Sequence, residues 1–201
     1  MAEKNLDFDT VIDRTHTNSL KYDFAVQRGK PKDVLPLWVA DMDFQVSSYI
    51  QEALSGNVAH GIFGYSEVEG SYFEAVAGWM SRHYGWNVEE TWLVKTPGIV
   101  FALAQAVRAF TEPGDAVLLQ QPVYYPFSQV IRDNGRKIVD NTLVQGEDGR
   151  YRIDFTDFEE KIRSAHVKLF FLCNPHNPVG RVWTKEELLR LGDICERYGV
   201  I

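Results

Sequence analysis

Two Asn-Pro pairs at the end of an apolar run are the residues of this sequence best placed to do chemistry. The run is Leu169-Phe-Phe-Leu-Cys173, and Asn174-Pro-His-Asn-Pro-Val-Gly180 follows it directly. Proline cannot continue a strand, and a residue before proline is kept out of the helical region. Asn174 and Asn177 should therefore lie in an extended or turn conformation with their amides free to bind a ligand. The alternative is a plain strand-to-helix turn, and we favour the ligand-binding loop.

A second candidate is the start of the helix that follows Thr96-Pro-Gly98. The first backbone amides of a helix have no partner within the helix, and such a terminus attracts anions. By itself this signal is weak, because many helices begin with Pro-Gly. Gly98 is therefore a candidate anion site that needs support from elsewhere in the chain.

A third candidate is the pair of tyrosines in Pro122-Val-Tyr-Tyr-Pro126. This segment ends a continuous apolar strand, residues 115–121, of the kind that is buried on both faces. Its prolines fix Tyr124 and the tyrosine after it at the end of the strand. An aromatic face here, an anion site at Gly98 and an amide at Asn177 together suit a flat aromatic phosphate.

Asp41 and Asp43 end another extended apolar segment, Leu35-Pro-Leu-Trp-Val-Ala-Asp-Met-Asp-Phe44. Two carboxylates on one face of an extended chain could bind a metal ion. No histidine or further acid lies at ligand spacing nearby, so we predict no metal site and favour hydrogen bonds to neighbouring backbone.

Several other kinds of site lack their motifs. The sequence has no G-x-G-x-x-G fingerprint, no G-x-x-x-x-G-K-[ST] loop, no G-x-S-x-G elbow and no H-E-x-x-H pair. The histidines are scattered, and each is expected to lie at the surface or to be satisfied by neighbours. They are His16, His60, His83, His166 and His176.

Composition and charge narrow the class of protein. With 201 residues, 45% of them hydrophobic, the chain can form one substantial core, and its net charge of −7 without long charged runs argues against a nucleic-acid partner. No apolar stretch approaches the roughly 18 residues of a membrane span, and the N-terminus has no apolar signal core. We therefore predict a cytoplasmic protein without a membrane partner. Cys173 and Cys195 are too few for a disulfide framework and are expected to be core residues.

Hydrophobic periodicity predicts alternating strands and helices from residue 92 onward, which is typical of an α/β protein with a mostly parallel sheet. The predicted helices cover residues 47–59, 71–83, 98–110, 127–133, 154–164 and 184–198, the last with a capping box at Thr184. The predicted strands cover residues 92–95, 115–121, 137–144, 151–153 and 167–173. Residues 199–201 resemble the start of a further strand, which indicates the N-terminal part of a longer protein.

Together, these motifs resemble those of a known enzyme family. The chain is similar to the N-terminal half of a fold-type I pyridoxal-phosphate enzyme, and within that superfamily to the MalY/PatB group of cystathionine β-lyases. The specific marker is Pro36-Leu-Trp-Val-Ala-Asp-Met-Asp-Phe44; the Asn-Pro loop is shared with aminotransferases generally. The resemblance implies a three-layer α/β/α large domain in residues 46–201, preceded in residues 1–45 by an N-terminal arm and part of a small domain.

The resemblance also implies how the cofactor, pyridoxal 5′-phosphate, would be bound. At Gly98, the amides of Ile99 and Val100 would hold its phosphate, Tyr124 would stack on its ring, and Asn177 would donate to its phenolic oxygen. Tyr65 would reach the cofactor phosphate of a neighbouring subunit, which makes the active site depend on a homodimer. The substrate contacts would be Val39, Ala40 and Asn177.

The activity that the resemblance implies is carbon–sulfur β-elimination from sulfur amino acids, with release of thiol, pyruvate and ammonia. An aminotransferase on the same scaffold is the alternative, and a non-catalytic binding or regulatory fragment is a third. The family's Schiff-base lysine matches no lysine here and is expected beyond Ile201, so we expect the 201-residue chain alone to be inactive.

Overall fold

The computed structural model describes residues 7–201, which form two compact units, one ending at Glu74 and one running from Ala75 to Ile201. The helices are α1 (Ser48–His60), α2 (Gly70–Tyr84), α3 (Ile99–Phe110), α4 (Pro126–Asp133), α5 (Phe155–Ala165) and α6 (Lys185–Tyr198). The strands are β1 (Ala116–Leu119), β2 (Lys137–Asp140), β3 (Val144–Gln145), β4 (Tyr151–Arg152) and β5 (Leu169–Phe170). Two short 3-10 turns cover Val26–Arg28 and Glu90–Trp92.

The second unit is built around β1, which pairs in parallel with β2 on one side and with β5 on the other. Successive side chains of a strand point to opposite faces of its sheet. Val117 and Leu119 accordingly pack in one cluster with residues of α3 and α4. Ala116 and Leu118 pack in a second cluster with residues of α5 and α6. Helices therefore cover both faces, and the predicted three-layer α/β/α class with a mostly parallel sheet is confirmed.

The two clusters account for most of the buried apolar side chains. The cluster on the α5 and α6 face is closed by Phe158, Ile162, Trp183, Leu191 and Ile194. The cluster on the α3 and α4 face is closed by Val107, Phe127, Val130, Ile131, Leu169 and Phe171. All four residues of β1 are buried, as the continuous apolar run predicts.

Helix ends follow local chemistry. The Thr184 hydroxyl accepts from the Glu187 amide, and the Glu187 carboxylate accepts from the Thr184 amide, so the predicted capping box of α6 is present. Asp154 caps α5 by accepting from the amides of Thr156 and Asp157. Such caps satisfy amides that would otherwise lack partners, and each typically contributes about 1 kcal/mol.

Three predicted strands differ clearly from the structure. The strand predicted over residues 167–173 is limited to Leu169–Phe170. Residues 92–95 form no strand, because no described strand pairs with them; Trp92 belongs to the turn Glu90–Trp92, and Val94 is exposed. The single strand predicted over residues 137–144 ends at Asp140, whose carboxylate accepts from the Gln121 amide. The chain then turns, and Val144–Gln145 pairs with β4 in a separate hairpin.

Neither α1 nor α2 contains a buried residue. The apolar side of α1 that periodicity predicts to face a core, with Ile50 and Leu54, is half exposed or more. In the arm, Phe8 packs edge-to-face on Phe44 with ring centroids 5.1 Å apart. Among the described residues, no helix has the length and apolar character needed to cross a bilayer.

Candidate cofactor site

The crevice at the carboxyl ends of β1 and β5 is the point of the sheet where a ligand site is expected. The two strands are adjacent and parallel. The chain leaves β1 for α4, which packs on one face, and leaves β5 for α6, which packs on the other. Connections that diverge from neighbouring parallel strands open a crevice at the strand ends, and open α/β sheets bind ligands there.

A backbone hydrogen bond joins the two loops that border this crevice. The Tyr124 amide donates to the Asn177 carbonyl over 2.8 Å. The backbone of Asn177 is held at a second point as well, because its backbone amide donates to the Cys173 sulfur over 3.3 Å. The structure therefore brings together two residues, Tyr124 and Asn177, that sequence motifs place 53 positions apart.

The two asparagines of the loop have different roles. The Asn174 side-chain oxygen accepts from the Trp183 amide over 3.1 Å, which stabilises the loop itself. The Asn177 side chain is exposed, and its side-chain amide makes no hydrogen bond with the described residues. The whole Asn177 side-chain amide is therefore available to a ligand, whereas the direction of the Asn174 amide is fixed by the bond to its oxygen.

Tyr124 presents an accessible aromatic ring beside Asn177. Its side chain is 40% exposed, and its ring is supported by Phe127, with centroids 6.3 Å apart in a T-shaped arrangement. The following Tyr125 is 70% exposed. A ring that is supported on one side and open on the other can stack on a planar ligand.

The N-terminus of α3 has the geometry of an anion site. Gly98 precedes the helix with φ 127° and ψ 165°, a conformation that a side-chain-bearing residue rarely adopts, and a Cβ built there would meet nothing within 4 Å. No side chain of the described residues caps the helix. The amides of Ile99 and Val100 belong to the first turn and so have no intrahelical partner. Both residues are exposed, so a phosphate could accept from these amides without displacing a side chain.

Sequence reasoning missed the role of His176, which was expected to be a surface or satisfied histidine. It is 2% exposed, its Nε2 lies 3.2 Å from the Gln120 carbonyl, and its Nδ1 has no hydrogen-bond partner among the described residues. Burial lowers the pKa of His176, and the bond to Gln120 only partly opposes this effect. A histidine placed between two Asn-Pro pairs directly after a buried strand was the available signal.

A buried amide pair behind the same loops was also missed. The Gln120 amide donates to the Asn141 side-chain oxygen over 2.8 Å, and both side chains are almost fully buried. Asn141 in turn donates to the Asp157 carboxylate and to the Asp154 carbonyl. This network ties the end of β1 to the start of α5.

The first unit contains the other predicted site residues, Val39, Ala40 and Tyr65. Val39 has φ 64°, which is a genuine outlier for a β-branched residue, and Val39 and Ala40 are exposed. Tyr65 lies in an irregular segment and is fully exposed.

The prediction that Asp41 and Asp43 bond to neighbouring backbone was wrong. Their carboxylates accept from the guanidinium of Arg14 at 2.7 Å each, rather than from neighbouring backbone. These bonds hold the pKa of both carboxyl groups below the usual range. A side chain 27 to 29 positions away could not be recognised as their partner from local spacing.

The two cysteines, the possibility of a metal site and a cavity beside α4 remain to be described. Both cysteines are half-buried free thiols, and burial raises the pKa of Cys195 to about 11. Within residues 7–201, no cluster of three or more histidine, cysteine or acidic side chains could hold a metal ion. A cavity of about 460 Å³ beside α4 is lined by Gln121, Val123, Tyr125, Ser128, Gln129, Arg132 and Asp133.

Comparisons with known proteins identify the family of the chain. The family profile "Aminotransferase class I and II" matches residues 32–201. The chain is 47% identical to cystathionine beta-lyase PatB of Bacillus subtilis over 97% of its own length and 50% of that protein's. It superimposes on cystalysin from Treponema denticola, which contains a pyridoxal 5′-phosphate cofactor, with a TM-score of 0.89 and 37% identity. A PLP-bound putative aminotransferase from Clostridium difficile 630 gives a TM-score of 0.91 and 40% identity.

Both structural matches cover 98% of this chain and 50% of the other protein, so the chain spans about half the length of the proteins it matches. The matched family region includes the α3 N-terminus and both loops of the crevice, and it extends into the first unit. Because this match covers most of its residues, the chain belongs to the aminotransferase class I and II family.

Proposed function

We propose that this chain supplies the cofactor-holding part of a pyridoxal-phosphate-dependent carbon–sulfur β-lyase that acts on sulfur amino acids. The observation that carries the proposal is the 2.8 Å bond from the Tyr124 amide to the Asn177 carbonyl. This bond supports the proposal because it joins an open aromatic ring and a side-chain amide that has no partner among residues 7–201, at one crevice of a parallel sheet. The 47% identity to a cystathionine β-lyase supports the choice of reaction.

The described residues fit the proposed cofactor group by group. We assign its phosphate to the first-turn amides of Ile99 and Val100 at Gly98, because no side chain caps this helix. We assign its pyridine ring to the exposed face of Tyr124, and its phenolic oxygen to the Asn177 amide.

The bound cofactor would act as the electron sink that makes removal of the substrate Cα proton possible. The residues of this chain would supply orientation. A hydrogen bond from the Asn177 amide fixes the direction of a phenolic oxygen, and stacking on Tyr124 fixes the plane of a ring. We assign the carboxylate of the amino-acid substrate to the backbone at Val39 and Ala40, with Asn177 as a further substrate contact.

No lysine of this chain matches the family's Schiff-base lysine motif, so we assign the catalytic lysine to none of them. A lysine of this kind is both nucleophile and proton carrier. We therefore propose that the 201-residue chain does not turn over by itself and contributes binding groups to a longer enzyme. We also propose that residues 1–45 are an arm with part of a small domain and that residues 46–201 belong to the large domain.

We further propose that the enzyme is a homodimer in which Tyr65 binds the cofactor phosphate of the neighbouring subunit. Exposed apolar side chains next to Tyr65 support a partner surface: Ile62 is 74% and Phe63 is 77% exposed. Light scattering of the intact protein would report the assembly, and Phe63→Asp is expected to shift it toward monomer. The free thiols support a reducing compartment and so a cytoplasmic location.

The reaction is tested by incubating the intact protein that contains this sequence with pyridoxal phosphate and cystathionine. Pyruvate and ammonia formed without an oxo-acid acceptor support the lyase. Strict dependence on an acceptor identifies the aminotransferase alternative, which the match to a putative aminotransferase keeps as the second candidate. A protein that stays colourless with added cofactor would instead be a non-catalytic binding module.

A further inference from the structure

His176 is the one buried side chain in residues 174–178, a segment whose other four members are exposed or border the crevice. Its backbone is fixed on both sides. The His176 amide donates to the Arg181 carbonyl over 2.7 Å, and the Gly180 amide donates to the His176 carbonyl over 2.8 Å. The loop therefore closes around this residue.

The hydrogen bond of the imidazole shows which ring nitrogen carries a proton. A backbone carbonyl can only accept, so Nε2 must carry the proton that it donates to the Gln120 carbonyl. The ring packs edge-to-face on Trp183, with centroids 5.6 Å apart at 84°. The Trp183 indole donates in turn to the Cys173 carbonyl over 3.1 Å. The imidazole is thus oriented by a buried partner on its edge and a buried ring beside it.

This bond is a second connection between the two loops that form the crevice. Gln120 directly follows β1 and lies four residues before Tyr124, whereas His176 directly precedes Asn177. The first connection, from the Tyr124 amide to the Asn177 carbonyl, fixes one point of each loop. The backbone of Asn177 is bonded to Tyr124 and Cys173. The bond from the His176 side chain to Gln120, one residue away, adds a further constraint on how this part of the loop can rotate.

We propose that His176 is a positioning residue that sets the direction of the Asn177 side-chain amide, and thereby the strength of its hydrogen bond to the cofactor's phenolic oxygen. This inference rests on the proposed function, because it concerns a contact to that cofactor. His176 is buried, so we assign it no direct contact with cofactor or substrate.

The proposal has a spectroscopic consequence. A donor aimed at a phenolic oxygen stabilises its negative charge, so it favours the form of the bound cofactor that carries one proton fewer. Weakening of this bond raises the pH midpoint of the visible absorbance change. It also weakens cofactor binding by roughly fivefold to tenfold, the range expected for one hydrogen bond.

The experiment uses the intact holoenzyme and compares four variants by absorbance titration, by cofactor affinity from equilibrium dialysis with pyridoxal phosphate, and by thermal unfolding. His176→Phe keeps a ring against Trp183 and removes the bond to Gln120, whereas His176→Gln retains a donor. Asn177→Ala gives the absorbance midpoint and the cofactor affinity expected when the side-chain amide is lost completely. Ile162→Val is the stability control, since it removes one buried methylene from α5.

His176→Phe is expected to move both the midpoint and the affinity toward Asn177→Ala. His176→Gln should stay near wild type, and Ile162→Val should lower only the unfolding temperature. If His176→Phe does not fold, His176→Met removes the same bond and must give the same shift. A His176 variant that lowers the unfolding temperature with the wild-type midpoint and affinity would overturn the proposal. A wild-type protein without a visible band would instead contradict the proposed function.

Discussion

The two polar regions of this molecule that follow apolar segments are stabilised in opposite ways. The loop Asn174–Gly180 is held by backbone bonds and by a buried neutral imidazole. The arm cluster, which we define as Arg14, Lys21, Asp41 and Asp43, is held by ion pairs, and its carboxylates are about 40% exposed. Buried bonds in a low dielectric resist salt, whereas exposed ion pairs are screened. The difference indicates that the loop is the more rigid of the two.

The arm cluster nevertheless holds a strained segment. Lys21 is 6% exposed and donates to the Asp41 carbonyl over 2.9 Å, while Arg14 bridges both carboxylates. The segment they fix lies directly after Val39, whose φ is 64°. A β-branched residue persists in the left-handed region only where its surroundings determine the backbone.

The largest expected effect that separates the two regions comes from Trp183→Ala. It removes a 3% exposed side chain, its bond to the Cys173 carbonyl and its contact with His176, so we expect a loss of about 3–5 kcal/mol in the free energy of unfolding. The control is Trp92→Ala. The Trp92 side chain is 56% exposed, so its removal should lower the free energy of unfolding far less. Chemical denaturation measures both. Equal losses would contradict a loop held by buried contacts.

A pair of substitutions tests left-handed backbone in each region. Gly180 has φ 70° with nothing within 4 Å of a built Cβ, so Gly180→Val should destabilise the protein by about 1–2 kcal/mol through conformation alone. Val39→Gly relieves the corresponding strain in the arm and should be neutral or stabilising by up to about 1 kcal/mol. Chemical denaturation of each variant shows whether its free energy of unfolding is higher or lower than that of the wild type. A Val39→Gly protein that is clearly less stable than wild type would show that the Val39 side chain, rather than the ion pairs, fixes that conformation.

Acidification should loosen the loop before the arm cluster. The folded pKa of His176 is lowered by burial, so from about pH 6.5 downward the unfolded chain takes up a proton that the folded loop excludes. Arg181 stacks on Trp183, the ring that packs against His176, and Arg181 forms an ion pair with Glu187. The pKa values of Asp41 and Asp43 are lowered by Arg14, so their contribution is present above about pH 3.9 and is lost below it.

Backbone amide chemical shifts, followed by NMR during a pH titration, measure this order. Between about pH 6 and 4.5, the shifts of residues 174–180 should change and those of residues 38–44 should stay constant. The reverse order would contradict the assignment of the two pKa directions.

The smallest expected effect is that of salt. Addition of 1 M NaCl shortens the Debye length to about 3 Å, so the amide chemical shifts of residues 38–44 should change slightly while those of residues 174–180 stay unchanged. Sodium sulfate is a poor substitute, because it also strengthens apolar burial. A loop that is as salt-sensitive as the arm would remove the distinction between the two regions.

Local sequence predicted the parts of this fold that local chemistry determines. The capping box of α6 and the buried β1 were confirmed, because Thr184, Glu187 and a continuous apolar run act within a few residues. The strand predicted over residues 92–95 was wrong, because a strand depends on a partner that its own residues do not identify.

The candidate site shows the same limit. Gly98, Tyr124 and Asn177 could be proposed from their own motifs. The bonds of His176 to Gln120 and of Arg14 to Asp41 and Asp43 join residues 56 and 27 to 29 positions apart, and no local pattern identifies such partners. Sequence therefore indicated the groups offered to a ligand, whereas the structure was needed to find the groups that position them.

The central claim, that the crevice between β1 and β5 holds the cofactor, is tested most directly by a crystal structure of the intact protein with pyridoxal phosphate. The account predicts the phosphate within hydrogen-bonding distance of the Ile99 and Val100 amides, the ring on Tyr124, and the phenolic oxygen at the Asn177 amide. A cofactor bound elsewhere, or bound here with the Asn177 amide turned away, would contradict it.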